Sequence, residues 1–402
     1  MKQLIYKMSQ IRPRDFCVML KLGVTFLPAR IYKIFHKDVW VVTELSENAR
    51  DNGYWLFKYI REKKPNQEVY YPIQSQSSDY FKVEKLGNTV EFGGFKHCFL
   101  FWAASKYIGT TRYHGFPEER ICAGLFEMKI TKFKYIFLNH GFARGHSNIV
   151  DGKKTRYDLL IAMSELEKEI LLNLNFQTEK NVRAIGFCRH DNLWEKENDG
   201  KTILIMPTWR RWLDYRHETD TEVIREIKRK YWKSSYYEEY QALLNDPRLL
   251  KFLEMHDLQL VFYLHGYAQG YAGSFSSTSE RVLIAEKEEY FVQDLLKQAV
   301  FLVTDYSSVS CDYVYMKKPM VYFQFDATEF SEKQYAESEY FTYESNGFGP
   351  VVYTRDQVIE EIINSYERNF EINKKYLERV QEFFPNFGHD HCEKTFELIK
   401  EL

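Results

Sequence analysis

Short apolar runs recur along the chain between longer segments of mixed character, and their spacing predicts the elements. Residues 39–43 are an unbroken apolar run ending in Thr, the pattern of a strand buried on both faces. The polar stretch 44–52 follows as a loop, and residues 54–63 then read as a helix with Trp55, Leu56, Tyr59 and Ile60 on one stripe. Further strand-length runs lie at 69–71, 107–109, 135–138, 159–162 and 182–185, with helical stretches between several of them. Apolar strands that alternate with helices imply a parallel sheet covered on both faces. Residues 189–201, dense in Asn, Asp and Glu, interrupt the series and place a linker there.

A second series opens at 202–206 with another strand and continues through a long charged helical stretch to about residue 251. Strands at 258–264 and 282–285 precede a compact strand, turn, helix and strand at 301–325, a βαβ unit. The last segment, from about 357 to 402, is helical in pattern apart from a turn at 385–389. The whole predicts an α/β chain of two Rossmann-like domains facing a cleft, as in type B (GT-B-like) glycosyltransferases. A basic segment spans 1–38, the two Rossmann-like domains span 39–190 and 200–375, and a C-terminal helical segment spans 376–402.

Composition adds two constraints. A chain of 402 residues with 45% hydrophobic and 17% aromatic residues has apolar material for two cores. The net charge of −2 excludes a general nucleic-acid binder but hides an asymmetry. Residues 1–38 carry eight Lys or Arg against two Asp, a charge of +6, which leaves −8 for the rest. Basic residues interleaved with Phe, Leu, Ile, Val and Tyr suit a helix lying on an anionic membrane surface, and equally an ordinary basic helix packed on the first domain. Gly23 and Pro28 interrupt any single amphipathic face. Between residues 16 and 35 the apolar runs are broken by Lys21, Pro28 and Arg30, short of the roughly 18 residues a spanning helix needs. The N-terminus lacks the apolar core and cleavage site of a signal peptide. Six scattered cysteines without a C-x-x-C pair fit free thiols in a reducing cytoplasm.

In open α/β sheets ligands lie outside the carboxyl ends of strands, so candidate site residues are those that follow a strand. Asp305, Ser307 and Ser308 follow the strand at 301–304 and suit a helix N-cap, where backbone N–H groups make an anion site. Pro207, Thr208, Trp209 and Arg210 follow the strand at 202–206. The planar fork of Arg210 suits a diphosphate, and it suits equally a stack on Trp209 or a carboxylate partner. His140 follows the strand at 135–138, with Gly141 permitting a sharp turn that projects the imidazole. A histidine with a pKa near 6.5 is suited to take a proton from an alcohol. His265 follows the strand at 258–264, and His114 reads as structural or site-lining. His389 and His391, two apart on a turn, do not make a metal shell, so no metal and no cofactor is expected. No Walker A sequence and no G-x-G-x-x-G fingerprint occurs.

Asp305-Tyr306-Ser307-Ser308, followed by Asp312, Lys318-Pro319 and Asp326, together with Pro-Thr-Trp-Arg at 207–210, resembles the CDP-glycerol glycerophosphotransferase family of teichoic acid primases and polymerases. The resemblance runs from residue 39 onward and is strongest over 207–330. It implies transfer of glycerol phosphate, or a similar polyol phosphate, from a CDP-activated donor to a hydroxyl of a lipid-linked glycan or a growing teichoic-acid-like or capsular polymer, with release of CMP. It implies a peripheral enzyme on the cytoplasmic face of the cell membrane. By the same resemblance His140 is the base, Gly141 and Arg144 lie on the acceptor side, and His265 lies near the donor phosphates. Pro207, Thr208, Arg210, Asp305, Ser307 and Ser308 bind the donor. Two departures stand out: Phe142-Ala143 replaces Thr-Pro after the first His-Gly, and Tyr263-Leu264 replaces Arg-Met before His265. Two alternatives stay open: a nucleotide-sugar transferase of the same architecture, and a membrane-surface binding protein that has lost catalysis.

Overall fold

The structure, a computed structural model, describes residues 13–194, 198–335, 338–384 and 386–402. The first part of the basic segment, 1–12, and Pro385 of the C-terminal turn lie outside the described residues. The chain divides into two compact units, one running to Asp191 and resuming over Gly388–Leu402, the other formed by Asn192–Phe387.

In the first unit, strands β1 (Trp40–Thr43), β2 (Val69–Ile73), β3 (Thr89–Glu91), β4 (Lys106–Gly109), β5 (Lys134–Phe137), β6 (Leu159–Ala162) and β7 (Val182–Ala184) form an all-parallel sheet in the order β3-β2-β1-β4-β5-β6-β7. Strand β1 is buried along its whole length, as its unbroken apolar run requires, and pairs with both β2 and β4. The order reverses between β1 and β4. One face of the sheet packs an aromatic cluster built on Phe101, Tyr107, Phe116, Phe126, Phe133 and Tyr135, with ring centroids 4.9 to 6.4 Å apart. Rings at such spacing add to their area burial.

The helix Pro13–Phe35 runs unbroken through Gly23 and Pro28, where the sequence placed breaks. Tertiary packing carries it across both. Leu22, Thr25 and Ala29 are buried, Phe26 meets Trp102 edge-on at 5.1 Å, and Lys33 Nζ donates to the Ala104 carbonyl at 2.6 Å. Proline removes only one helical bond, and here it does so on the exposed side.

The second unit repeats the topology. Strands β8 (Thr202–Met206), β9 (Gln259–Tyr263), β10 (Val282–Ala285), β11 (Phe301–Thr304), β12 (Met320–Phe323) and β13 (Val351–Val352) form a parallel sheet in the order β10-β9-β8-β11-β12-β13. Here the order reverses between β8 and β11. The long helical stretch expected before β9 is three helices, Thr221–Tyr231, Ser235–Leu243 and Pro247–Met255. Ser234 and Asp246 cap the second and third, and Pro247 occupies a first-turn position that needs no N–H. Lys318 is buried and donates to the carbonyls of Leu296, Lys297 and Ala299, which closes the end of helix Val292–Gln298.

The C-terminal helical segment is divided between the units. Helix Lys374–Phe383 belongs to the second, whereas His391–Lys400 returns to the first. The Asp191 carboxylate accepts from the N–H groups of His391 and Cys392, both at 2.9 Å, and the buried His391 imidazole lies with Nδ1 2.6 Å from the Ile185 carbonyl. Burial, reinforced by neighbouring His190, pushes the His391 pKa down to about 4, so a neutral ring donates that bond. Gly186 makes this docking possible. Its φ is +86°, and a Cβ there would stand 2.5 Å from the His391 ring. Gly186→Ala should therefore displace helix His391–Lys400 while the sheet survives. Limited proteolysis should then cut near Gly388 in the variant and not in the wild type; identical digestion would refute this.

Candidate active site

The carboxyl ends of β8, β11 and β12 are tied by three buried charges. Arg210 is bidentate to Asp326, Nε to Oδ2 at 2.7 Å and Nη2 to Oδ1 at 3.1 Å, and its Nη1 lies 2.9 Å from Asp305 Oδ2. The same Nη1 donates to the Thr208 carbonyl at 2.6 Å. Asp305 Oδ1 accepts from the N–H groups of Thr208 (2.8 Å) and Tyr306 (2.6 Å), and the Tyr306 hydroxyl donates to Asp326. Rings of Tyr236, Phe330 and Tyr306 stand 4.8, 5.0 and 5.3 Å from the guanidinium carbon, close enough to favour its charge. Burial works against that charge, but Asp305 and Asp326 outweigh it and hold the Arg210 pKa above its ordinary value.

This gives Arg210 the carboxylate partner that the sequence left open, and it corrects the expectation that Asp305 suits a helix N-cap. Arg210 has no side-chain exposure and is committed to two carboxylates and a carbonyl, so it ties the loops that follow three strands. Asp305 caps no helix, because its oxygens are taken by Thr208, Tyr306 and Arg210. Pro207 and Thr208 are likewise buried beneath the surface.

Above the triad lies the part of the turn that meets solvent. Ser307 and Ser308 are half-buried at the start of helix Val309–Tyr315, and the Ser307 hydroxyl accepts from the Val309 N–H at 3.3 Å. Among the described residues no hydrogen bond takes up the N–H groups of Ser307 or Ser308. His265, after β9, accepts from the Tyr267 N–H on Nδ1 at 3.1 Å, so its neutral ring carries its proton on Nε2. Trp209 and Tyr267 meet edge-on at 5.2 Å, and Arg216 stacks on Tyr267 at 3.5 Å while bidentate to Asp214. A pocket of about 460 Å³ opens beside them, lined by Arg216, Tyr267, Gln269 and Lys287 among others. Sequence reasoning missed this aromatic and cationic wall. Trp209 was legible in Pro-Thr-Trp-Arg, but Arg216 and Tyr267 sit in loops without a recognisable motif.

In the first unit, His140 is exposed on the turn after β5, with Gly141 and Arg144 half-buried beside it. The sharp bend assigned to Gly141 falls on Asn139, whose φ is +59°. Two buried residues the sequence did not single out brace this turn. Asn52 Nδ2 donates to the carbonyls of Leu138 (3.3 Å) and Asn139 (2.9 Å). Glu167 Oε1 accepts from Asn139 Nδ2 (3.0 Å) and the Ala143 N–H (2.7 Å). Burial raises the Glu167 pKa to about 7, against the pull of its N–H donors and of Arg189. His114 is exposed, with Nδ1 2.8 Å from a Glu119 carboxylate oxygen. Among the described residues no group of three or more His, Cys, Asp and Glu side chains is placed to hold a metal ion.

Replacing Arg210 with Met would leave Asp305 and Asp326 buried without a counter-charge. Breaking a buried ion pair costs about 3–5 kcal/mol, so Arg210→Met should lower the stability of the second unit by that order in urea titrations. Arg210→Lys should recover little, since an ammonium cannot reproduce the fork. Loss of ligand affinity at unchanged stability would contradict the buried role.

Residues 27–399 match the family described as CDP-glycerol:poly(glycerophosphate) glycerophosphotransferase. The chain is 29% identical over 376 residues to the minor teichoic acid biosynthesis protein GgaB of Bacillus subtilis (strain 168), covering 92% of this chain and 41% of that protein. It is 25% identical over 396 residues to the teichoic acid poly(glycerol phosphate) polymerase of the same strain, covering 90% and 48%. The chain thus spans less than half the length of these two relatives. A structure of the wall teichoic acid polymerase TagF shares the fold, with a TM-score of 0.63 at 17% identity over 97% of this chain and 98% of that one. With a family match over nearly its whole length, the chain belongs to the CDP-glycerol:poly(glycerophosphate) glycerophosphotransferase family.

Proposed function

We propose that this chain transfers glycerol phosphate, or a similar polyol phosphate, from a CDP-linked donor to a hydroxyl of a lipid-linked glycan or growing polymer. The observation that carries this is the turn after β11. It sits where the sheet order of the second unit reverses, the usual ligand position in such sheets, and it offers the Ser307 and Ser308 hydroxyls and N–H groups to an anion. The buried triad holds that turn from beneath, and His265, which follows β9 in the same unit, would donate from Nε2 to a phosphate oxygen. In the transfer, the acceptor oxygen attacks the polyol-bearing phosphorus, the bond from that phosphorus to the bridging oxygen breaks, and CMP leaves. His140 takes the acceptor's proton. Such transfers need positioning and charge stabilisation more than covalent chemistry.

The helix Pro13–Phe35 supports the membrane part of this reading. Phe16, Leu20, Val24, Leu27, Ile31 and Ile34 are all exposed, and their spacing puts them on one stripe opposite the buried Leu22, Thr25 and Ala29. Among the described residues no helix is long and apolar enough to cross a membrane. An exposed apolar stripe on a basic segment suits the surface of an anionic bilayer, with the acceptor lipid at hand.

General-base catalysis is worth about 10²- to 10⁴-fold. His140→Ala should slow CMP release from CDP-glycerol by that factor with donor affinity unchanged, whereas His265→Ala should also weaken donor binding. Near-normal turnover of His140→Ala would remove it as base, and faster turnover of UDP-glucose than of any CDP-polyol would favour a sugar transferase. Anionic liposomes should co-sediment the protein at low salt and release it at high salt. Leu20→Glu with Leu27→Glu should abolish that binding; sedimentation of the double variant like the wild type would exclude the stripe as the contact.

A further inference from the structure

Resting on the assignment of His140 as base, we propose that Glu167 is its positioning residue, acting through Asn139 and the Ala143 amide on the turn that carries the imidazole. Glu167 is fully buried and stands third in helix Glu165–Leu174, after the cap residue Ser164. Ser-x-x-Glu is the spacing of a capping box, in which the glutamate reaches back to the cap residue's own N–H. The first half of that box is present, since Ser164 Oγ accepts from the Glu167 N–H at 3.2 Å. The carboxylate, however, is divided between two tasks. Oε2 accepts from the Met163 N–H at 2.6 Å, at the helix entrance. Oε1 turns to the neighbouring strand end and takes Asn139 Nδ2 and the Ala143 N–H.

Those two donors bracket residues 140–142, so one oxygen clamps both sides of the His140 turn. Asn139 completes the connection. Its amide nitrogen is held by Glu167 and its Oδ1 accepts from the His140 N–H at 2.9 Å, which fixes the amide orientation and links the buried carboxylate to the histidine backbone through one side chain. An aspartate at 139 would set carboxylate against carboxylate, and most other side chains would resist the φ of +59°. A cap alone does not require this arrangement, because a glutamate that only caps a helix can stay in water. Burying the carboxylate is costly unless its donors are met, and here two of its three donors belong to the turn.

The exposed imidazole thus takes its direction from a rigid backbone, and a displacement of about 1 Å can cost about 10²-fold in rate. Asn139→Gly tests this directly, because glycine accepts the backbone angle and loses the link. With the full chain and CDP-glycerol as probe, it should lower kcat about 10- to 100-fold and leave the donor KM unchanged. Glu167→Gln, whose amide oxygen can occupy the Oε1 place, should retain most of kcat where Glu167→Ala does not. In a His140→Ala background, Asn139→Gly should cause no further loss. Turnover of Asn139→Gly within twofold of wild type, equal loss in Glu167→Gln and Glu167→Ala, or additive losses with His140→Ala would each overturn the positioning role while leaving the base assignment standing. Normal turnover in His140→Ala alone would overturn both, and is distinguished by appearing without any change at Asn139 or Glu167.

Discussion

Three charges buried with almost no access to water, Arg210 between Asp305 and Asp326, govern how the second unit presents its site. Each ion alone would be costly to remove from water, and together they balance only because the guanidinium fork matches two carboxylates and is walled by aromatic rings. The return is geometric. Residues from three separate strand ends, β8, β11 and β12, are tied to one another, and the solvent-facing turn at Ser307 and Ser308 follows directly on the tied Asp305 and Tyr306. On the proposed reading, in which this turn holds a diphosphate, setting it before the ligand arrives lowers the cost of binding.

The first unit uses the same division of labour with a different residue set. An exposed histidine stands on a turn whose shape is dictated from behind by Asn52, Asn139 and Glu167, none of which has to touch a ligand. In both units the residues that face solvent are few and ordinary, and the specificity of their placement lies in polar groups buried one layer down.

Much of this was legible in the sequence, and the misses have physical causes. Unbroken apolar runs mark β1, β6, β8 and β11 because a parallel strand covered on both faces leaves no room for polar positions. The short edge strands β3 and β13 carry no such run and went unseen. Arg210 was found as a significant residue with its partner left open, since a strand-end arginine looks the same whether it meets a phosphate or carboxylates 95 and 116 residues away. Glu167 was not singled out, and even the Ser164-x-x-Glu167 spacing would read only as a helix cap, because the pattern cannot tell that one carboxylate oxygen serves another turn. The return of helix His391–Lys400 to the first unit was hidden because an amphipathic helix does not state in its own sequence which sheet it will cover.

Backbone hydrogen exchange on the intact chain, with and without CDP-glycerol, tests the placement of the donor most directly. The amides of Thr208 and Tyr306, bonded to Asp305, should be slow in both states. Those of Ser307 and Ser308 should exchange freely without ligand and slow markedly when it binds, with little change around His140. Ligand-induced protection confined to the first unit, or absent from the turn after β11, would contradict the account.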